Sequence, residues 1–297
     1  MLSALAQPSS DERRMMIHRA IGAHSYFYKA FFPVVQGIDN TPQYSQKIGI
    51  NRDFFLTDVQ ANFNEVYATA GTLYNAQIST NYRRSLFRID GKLPSAFQSY
   101  DSRRDAVTNI FTDVQFEIKP FAIERGDKIL AEVQNLATKG ADVDLYMIFK
   151  GFALVSNPFV PSREVKQINN SLALPATTDY FSFTVEAGTL KRDYIVTNDG
   201  RPRLVLGFCV QDLQSPTSTA PVLVSIEDLS RQLTLTDSAI PLECIAPRVR
   251  SSEDQTVYYL PIEHYLPPLG KLSFSIEQLL GRGRAGGFRF SVLTRTV

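Results

Sequence analysis

Three histidines, two cysteines and one glycine-rich run are the places where this chain could hold chemistry, and their spacing argues against most of it. His18 and His24 stand six residues apart, not the three or four that bring two side chains onto one helical face. His264 stands alone in Glu263-His264-Tyr265. Neither an HExxH run nor a Cys/His cluster is present, so the sequence supports no zinc site. Acyl transfer needs a histidine base beside a serine and an acid, and no G-x-S-x-G elbow supplies the serine. Gly281-Arg-Gly283-Arg-Ala-Gly286 has the letters of a dinucleotide fingerprint. That fingerprint works only where it follows a strand and opens a helix whose N-terminus holds the pyrophosphate. Here Phe288-Arg-Phe290-Ser-Val292 alternates as a strand, so the glycines read as a loop tip carrying Arg282 and Arg284 on the surface. Asp58, Glu124, Asp127 and Asp144 are scattered and lack the spacing of a calcium loop; they read as turn formers. Paired carboxylates for glycoside hydrolysis need no motif, so 30 acidic residues leave that class open. The expectation is no catalytic residue, no cofactor-binding residue, no cofactor and no metal. Cys209, inside the apolar run Leu204–Val210, and Cys244, after Pro241-Leu242-Glu243, are expected as buried free thiols. A disulfide between them is the alternative that geometry must decide.

Composition narrows the partners. The 297 residues fit about two domains, and 44% hydrophobic with 21% charged residues is ordinary globular material. Twenty Phe and thirteen Tyr against no Trp point to strands, where aromatic side chains fit a pleated, half-buried surface. A net charge of +1 gives no concentrated positive field, so neither nucleic acid nor an anionic membrane is an expected partner. The opening Met1-Leu-Ser-Ala-Leu-Ala lacks the basic start and apolar core of a signal peptide. An intracellularly made, soluble product is the expectation.

The elements that would position any site read as two similar halves. Arg52-Asp53-Phe54-Phe55-Leu56-Thr57-Asp58 is matched by Arg192-Asp193-Tyr194-Ile195-Val196-Thr197-Asn198. Arg84-x-Leu86-x-x-x-Asp90-x-x-Leu93-Pro94 is matched by Arg231-x-Leu233-x-x-x-Asp237-x-x-Ile240-Pro241, and Val133 and Leu145 by Ile276 and Phe288. Three blocks in one order at a domain-sized spacing predict an internal duplication, with paired members on equivalent strands. Short runs between turn signals, with little helical periodicity, predict an all-β chain of two tandem antiparallel β-sandwich or jelly-roll domains. The expected division is a partly helical, extended N-terminal arm over 1–50, a first sandwich over 51–155, a Pro- and Asn-rich linker over 156–178 and a second sandwich over 179–297. Ser9-Ser10-Asp11-Glu12 marks a helix start. The aromatic run Tyr26–Phe32 either covers the first core or forms an arm on a neighbouring subunit. A hairpin is expected between Lys271–Ile276 and Phe288–Leu293. Val133 and Ile276 are expected in the core.

Two consecutive β-units, each with an RDxxxT strand, an RxLxxxxxxxP segment, a Gly turn and a final apolar strand, resemble tandem β-sandwich proteins from virions of tailed bacteriophages. Phe121–Asn135 and Leu145–Phe152 carry most of that resemblance. It implies a non-enzymatic virion component of the capsid, neck or tail, whose partners are copies of itself and other virion proteins. A double jelly-roll major capsid protein is an alternative reading. A host-receptor or carbohydrate-binding module is another, although the absence of Trp weakens glycan binding.

Overall fold

The structure, a computed structural model, describes residues 8–35, 44–64, 74–80, 114–135, 143–156, 158–213, 222–246, 248–249, 257–278 and 287–297. Helix α1, Ser10–Gly22, begins with a capping box in which Ser9 Oγ accepts from the Glu12 amide and Glu12 accepts from the Ser9 amide. The strands that follow it are β1 Ala23–Val35, β2 Tyr44–Gly49, β3 Phe54–Asn64, β4 Tyr74–Thr80, β5 Val114–Ile123, β6 Lys128–Asn135 and β7 Val143–Leu154. They form the sheets β1-β7-β3-β5 and β2-β6-β4. Helix α2, Ser162–Leu172, then leads to β8 Thr178–Val185, β9 Lys191–Thr197, β10 Arg203–Asp212, β11 Val222–Asp228, β12 Leu233–Thr234 and β13 Ile240–Pro241. A 3-10 turn at Leu242–Cys244 precedes β14 Arg248–Val249, β15 Tyr258–Leu266, β16 Lys271–Gln278 and β17 Phe288–Thr296.

In the second half, β15-β10-β17-β8 form one sheet, with β14 also on β10, and β9-β16-β11 the other, with β12 and β13 on the far edge of β11. Counting β12 and β13 together as the fifth strand and leaving out β14, the two sheets read 1-8-3-6 and 2-7-4-5. That is the order of a jelly roll. Without the fifth strand, the described strands of the first half occupy the same places. The two halves share a finer feature as well. The third strand of each is irregular at one matched point, Leu56/Asp58 in β3 and Val205/Gly207 in β10. The chain is therefore all-β in its sheets, with two antiparallel sandwiches of one topology.

Several expectations change against this frame. Val133 and Ile276 do fall on equivalent strands, β6 and β16, as do Leu145 and Phe288 on β7 and β17. Ile276 is fully buried, and the side chain of Val133 lies outside what is described. Arg52 and Arg192 do not correspond: Arg52 precedes a third strand, whereas Arg192 lies within β9, a second strand. A charged pair before an apolar run can open any strand, so that block carried no register. Arg84, Asp90 and Pro94 lie outside the described residues. The expected hairpin is absent, because β16 pairs with β9 and β11 whereas β17 pairs with β10 and β8. The chain crosses between sheets there, and sequence proximity alone could not show it. The segment expected as an arm supplies β1 and β2; β1 runs along β7 from Ala23↔Leu154 to Val35↔Val143. The segment expected as a linker contains α2, whose Ile168 and Leu172 are buried against α1 and the β10–β17 face.

Why β1 reads as nearly continuous aromatics is now clear: it is buried on both faces. Tyr28 points into the first sandwich, where it meets Phe54 edge-on at 5.0 Å. Phe27 points the other way, into the core that fills the second sandwich. Gly151 shows how tightly β7 is held: a Cβ there would lie 2.0 Å from the Phe55 carbonyl oxygen. Gly151→Ala is expected to destabilise the protein by about 1–3 kcal/mol through overpacking, read as a lowered denaturation midpoint. An unchanged midpoint would mean β3 and β7 can separate freely.

Candidate functional site

The two sandwiches meet along a seam where the β1-β7-β3 face of the first packs on β15 and the 228–246 segment of the second. Backbone bonds cross it. The Phe27 amide donates to the Leu235 carbonyl at 2.9 Å, and the Asp237 amide donates to the Phe27 carbonyl at 2.9 Å, a parallel bridge centred on Thr236. Ser25, fully buried, imitates a strand neighbour: its Oγ donates to the Ile262 carbonyl at 2.7 Å and accepts from the Ile262 amide at 3.1 Å. Lys29 Nζ donates to the Ala239 carbonyl at 2.6 Å.

At one end of the seam stands a charged cluster. Asp228 terminates β11 and is fully buried. Its Oδ1 accepts from the Ser230 and Arg231 amides at 2.9 and 3.1 Å, the turn geometry an aspartate makes with the backbone that follows it. Its Oδ2 meets His264 Nε2 at 2.8 Å, also with no exposure. The turn aims Arg231 at the end of α1, where the guanidinium donates to the Ala20 and Ile21 carbonyls at 3.2 and 3.0 Å. A cation on the last carbonyls of a helix satisfies acceptors that have no intrahelical partner and complements the helix dipole. Arg13 of α1 serves α2 in the same way, donating to the carbonyls of Leu172 and Leu174.

His24 completes the cluster. Its Nε2 lies 3.2 Å from Arg52 Nη1, and the Arg52 guanidinium sits 4.2 Å over the Tyr26 ring. Since arginine can only donate, Nε2 accepts and the proton of the neutral ring resides on Nδ1. Nδ1 faces the Thr234 carbonyl without a hydrogen bond of full geometry. Burial, then the fields of His264, Arg52 and Arg231, pushes the imidazole pKa down to about 3.

The middle of the seam holds a buried charge pair. Lys150 Nζ is 3.7 Å from Asp58 Oδ2 and 4.4 Å from the centre of the Tyr258 ring. Burial, then the fields of Asp58 and Cys244, raises the Tyr258 hydroxyl well above its ordinary value.

These arrangements hold the two bodies together. The Asp228–His264 pair has the look of a catalytic dyad but is sealed from solvent. His18 lies exposed on α1, apart from it. Glu124 and Asp127 form the turn between β5 and β6, where Gly126 adopts φ +96, and Asp58 is taken by Lys150. The side chain of Asp144 and the whole of Gly281–Gly286 lie outside what is described. Cys209 and Cys244 are both buried free thiols. Among the described residues no group of three or more His, Cys, Asp or Glu side chains is placed to hold a metal ion, and no helix is long and apolar enough to cross a membrane. Sequence reasoning missed Asp228, Arg231 and Lys150 as seam residues. Lys150 was the most legible: a lysine inside Met147-Ile-Phe149-Lys150-Gly-Phe152 must find a partner.

No protein-family model matches the chain. No curated protein matches it in sequence. Among solved structures it is similar to a chain of the T=3 Penaeus vannamei nodavirus at 11% identity and a TM-score of 0.25, covering 99% of this chain and 93% of that one. It is similar to a chain of Sulfolobus turreted icosahedral virus at 10% identity and 0.23, covering 91% and 90%. It is also similar to a peptide-N(4)-(N-acetyl-beta-D-glucosaminyl) asparagine amidase at 8% identity and 0.23, covering 92% and 96%. Likenesses this slight carry no argument, and the fold rests on this chain's own strand pairings.

Proposed function

We propose that this chain is a non-enzymatic virion subunit that works by assembly, a double jelly-roll capsid protein whose partners are copies of itself and other virion proteins. The two sandwiches are its two domains, divided in the segment that carries α2. The observation behind this reading is the pair of jelly rolls of one topology locked along a buried seam. Such a block offers two rigid bodies with outward sheets and loops, which suits repetition on a symmetric surface. The sequence resemblance described above favours a bacteriophage as the source, and the near-neutral net charge favours protein partners over nucleic acid.

A glycan-binding module is the second reading. Tyr180 and Tyr259 stand about half exposed on one row of the outer β8-β17-β10-β15 face, where rings could stack on sugars. The full-length protein, examined by light scattering and electron microscopy over a range of concentrations, tests both. Closed or regular higher assemblies are the expected result. A lone monomer at every concentration that shows saturable glycan binding, lost in Tyr180→Ala and Tyr259→Ala, would overturn the first reading in favour of the second.

A further inference from the structure

We propose that the end of the seam around His24 is an acid-sensitive latch, in which a proton on His24 releases α1 and β1 from the second sandwich. This holds whatever the assembly reading turns out to be.

The geometry carries it. His24 is almost completely buried at the first residues of β1, between groups from both bodies. From its own sandwich it faces Arg52, which donates to Nε2, and Tyr26. From the other sandwich it faces His264 on β15, Arg231 after β11 and the Thr234 carbonyl on β12. Asp228 is held by His264 and by two backbone amides. Asp237 lies within the fields of Tyr26, Lys29 and Arg52, and Glu164 of α2 faces Arg231 and Tyr265. A protonated ring loses its acceptor lone pair and turns an N–H toward an arginine that can only donate. It also adds positive charge beside Arg52 and Arg231, and among the described residues no carboxylate is hydrogen-bonded to the ring to answer it. Exposure to water relieves this, and the ring reaches water only if the latch opens.

The sign follows from the neutral ring being the buried form. Its contribution is whole above the ordinary imidazole value, 6.5, and declines as pH falls through the window from there toward about 3. Over that window the opening equilibrium shifts by about tenfold per pH unit. The amides of Phe27 and Asp237 report it, because both bonds cross the seam.

The test is hydrogen exchange of those two amides in the intact protein between about pH 6.5 and 4.5, corrected for intrinsic exchange. Protection in the natural protein should fall about tenfold per unit. His24→Gln, which keeps an acceptor but cannot titrate, should show no such fall, and His18→Gln should keep the natural slope. An equal slope in His24→Gln, or none in the natural protein, overturns the proposal. Should His24→Gln fail to fold, the imidazole resonances of the natural protein decide. His24 remaining neutral below about pH 4 supports the latch. His24 titrating near its ordinary value with Phe27 and Asp237 still protected overturns it.

Discussion

Asp228→Ala should lower the free energy of unfolding by about 3–5 kcal/mol, measured as a shift in the denaturant midpoint at unchanged slope. Asp228 accepts from two amides and from His264 with no access to water. Its removal leaves those donors without acceptors in the interior, where an unmatched polar group costs far more than an exposed one. The loss propagates, since the same turn aims Arg231 at the carbonyls of Ala20 and Ile21. Asp228→Asn keeps an oxygen for the amides and should lose only about 1–3 kcal/mol. If alanine and asparagine were equally mild, the pair with His264 would contribute nothing and the turn would form without it.

Phe27→Ala is the second large effect, about 3–5 kcal/mol. The ring belongs to the first sandwich by chain and strand, yet it is fully buried in the cluster that contains Phe208, Phe274 and Phe290 of the second. Truncation leaves a cavity between two bodies whose backbones are pinned at that residue. The expected signature, beyond the lost stability, is a split of one unfolding transition into two, as the halves cease to report on each other. A loss below about 1 kcal/mol in calorimetry would mean that the seam closes over the gap and is not packed like an interior.

Much of the strand inventory was legible in the sequence because many strands have one wet face. β16 alternates along its length, buried at Leu272, Phe274 and Ile276 and half-buried between them, and the residue types follow. The helix start at Ser9–Glu12 was legible for a local reason, the capping box. What depended on distant partners was not. β1 and β7 are covered on both sides, so their apolar runs gave no hint of which face met which body. The false match of Arg52 with Arg192 arose because strand openings look alike. The absent hairpin between β16 and β17 arose because sheet membership is set by β9, β11, β8 and β10, none of them next to β16 or β17 in sequence. Of the seam, His264 was visible only as a lone histidine, with its partner Asp228 many residues away and unmarked by any motif.

The pinning of Phe27 by Leu235 and Asp237 also sets an order in time. A ribosome adds about 5–20 residues per second, so the stretch from Phe27 to Asp237 takes roughly 10–40 s to appear. For all of that interval α1 lacks Arg231 at its end and the Phe27 side of β1 has nothing to lie against. The first jelly roll therefore cannot finish on its own schedule. Each nascent chain carries an apolar, half-closed sheet while its neighbours on the same message do likewise, and the safe outcome depends on the second half arriving before they meet.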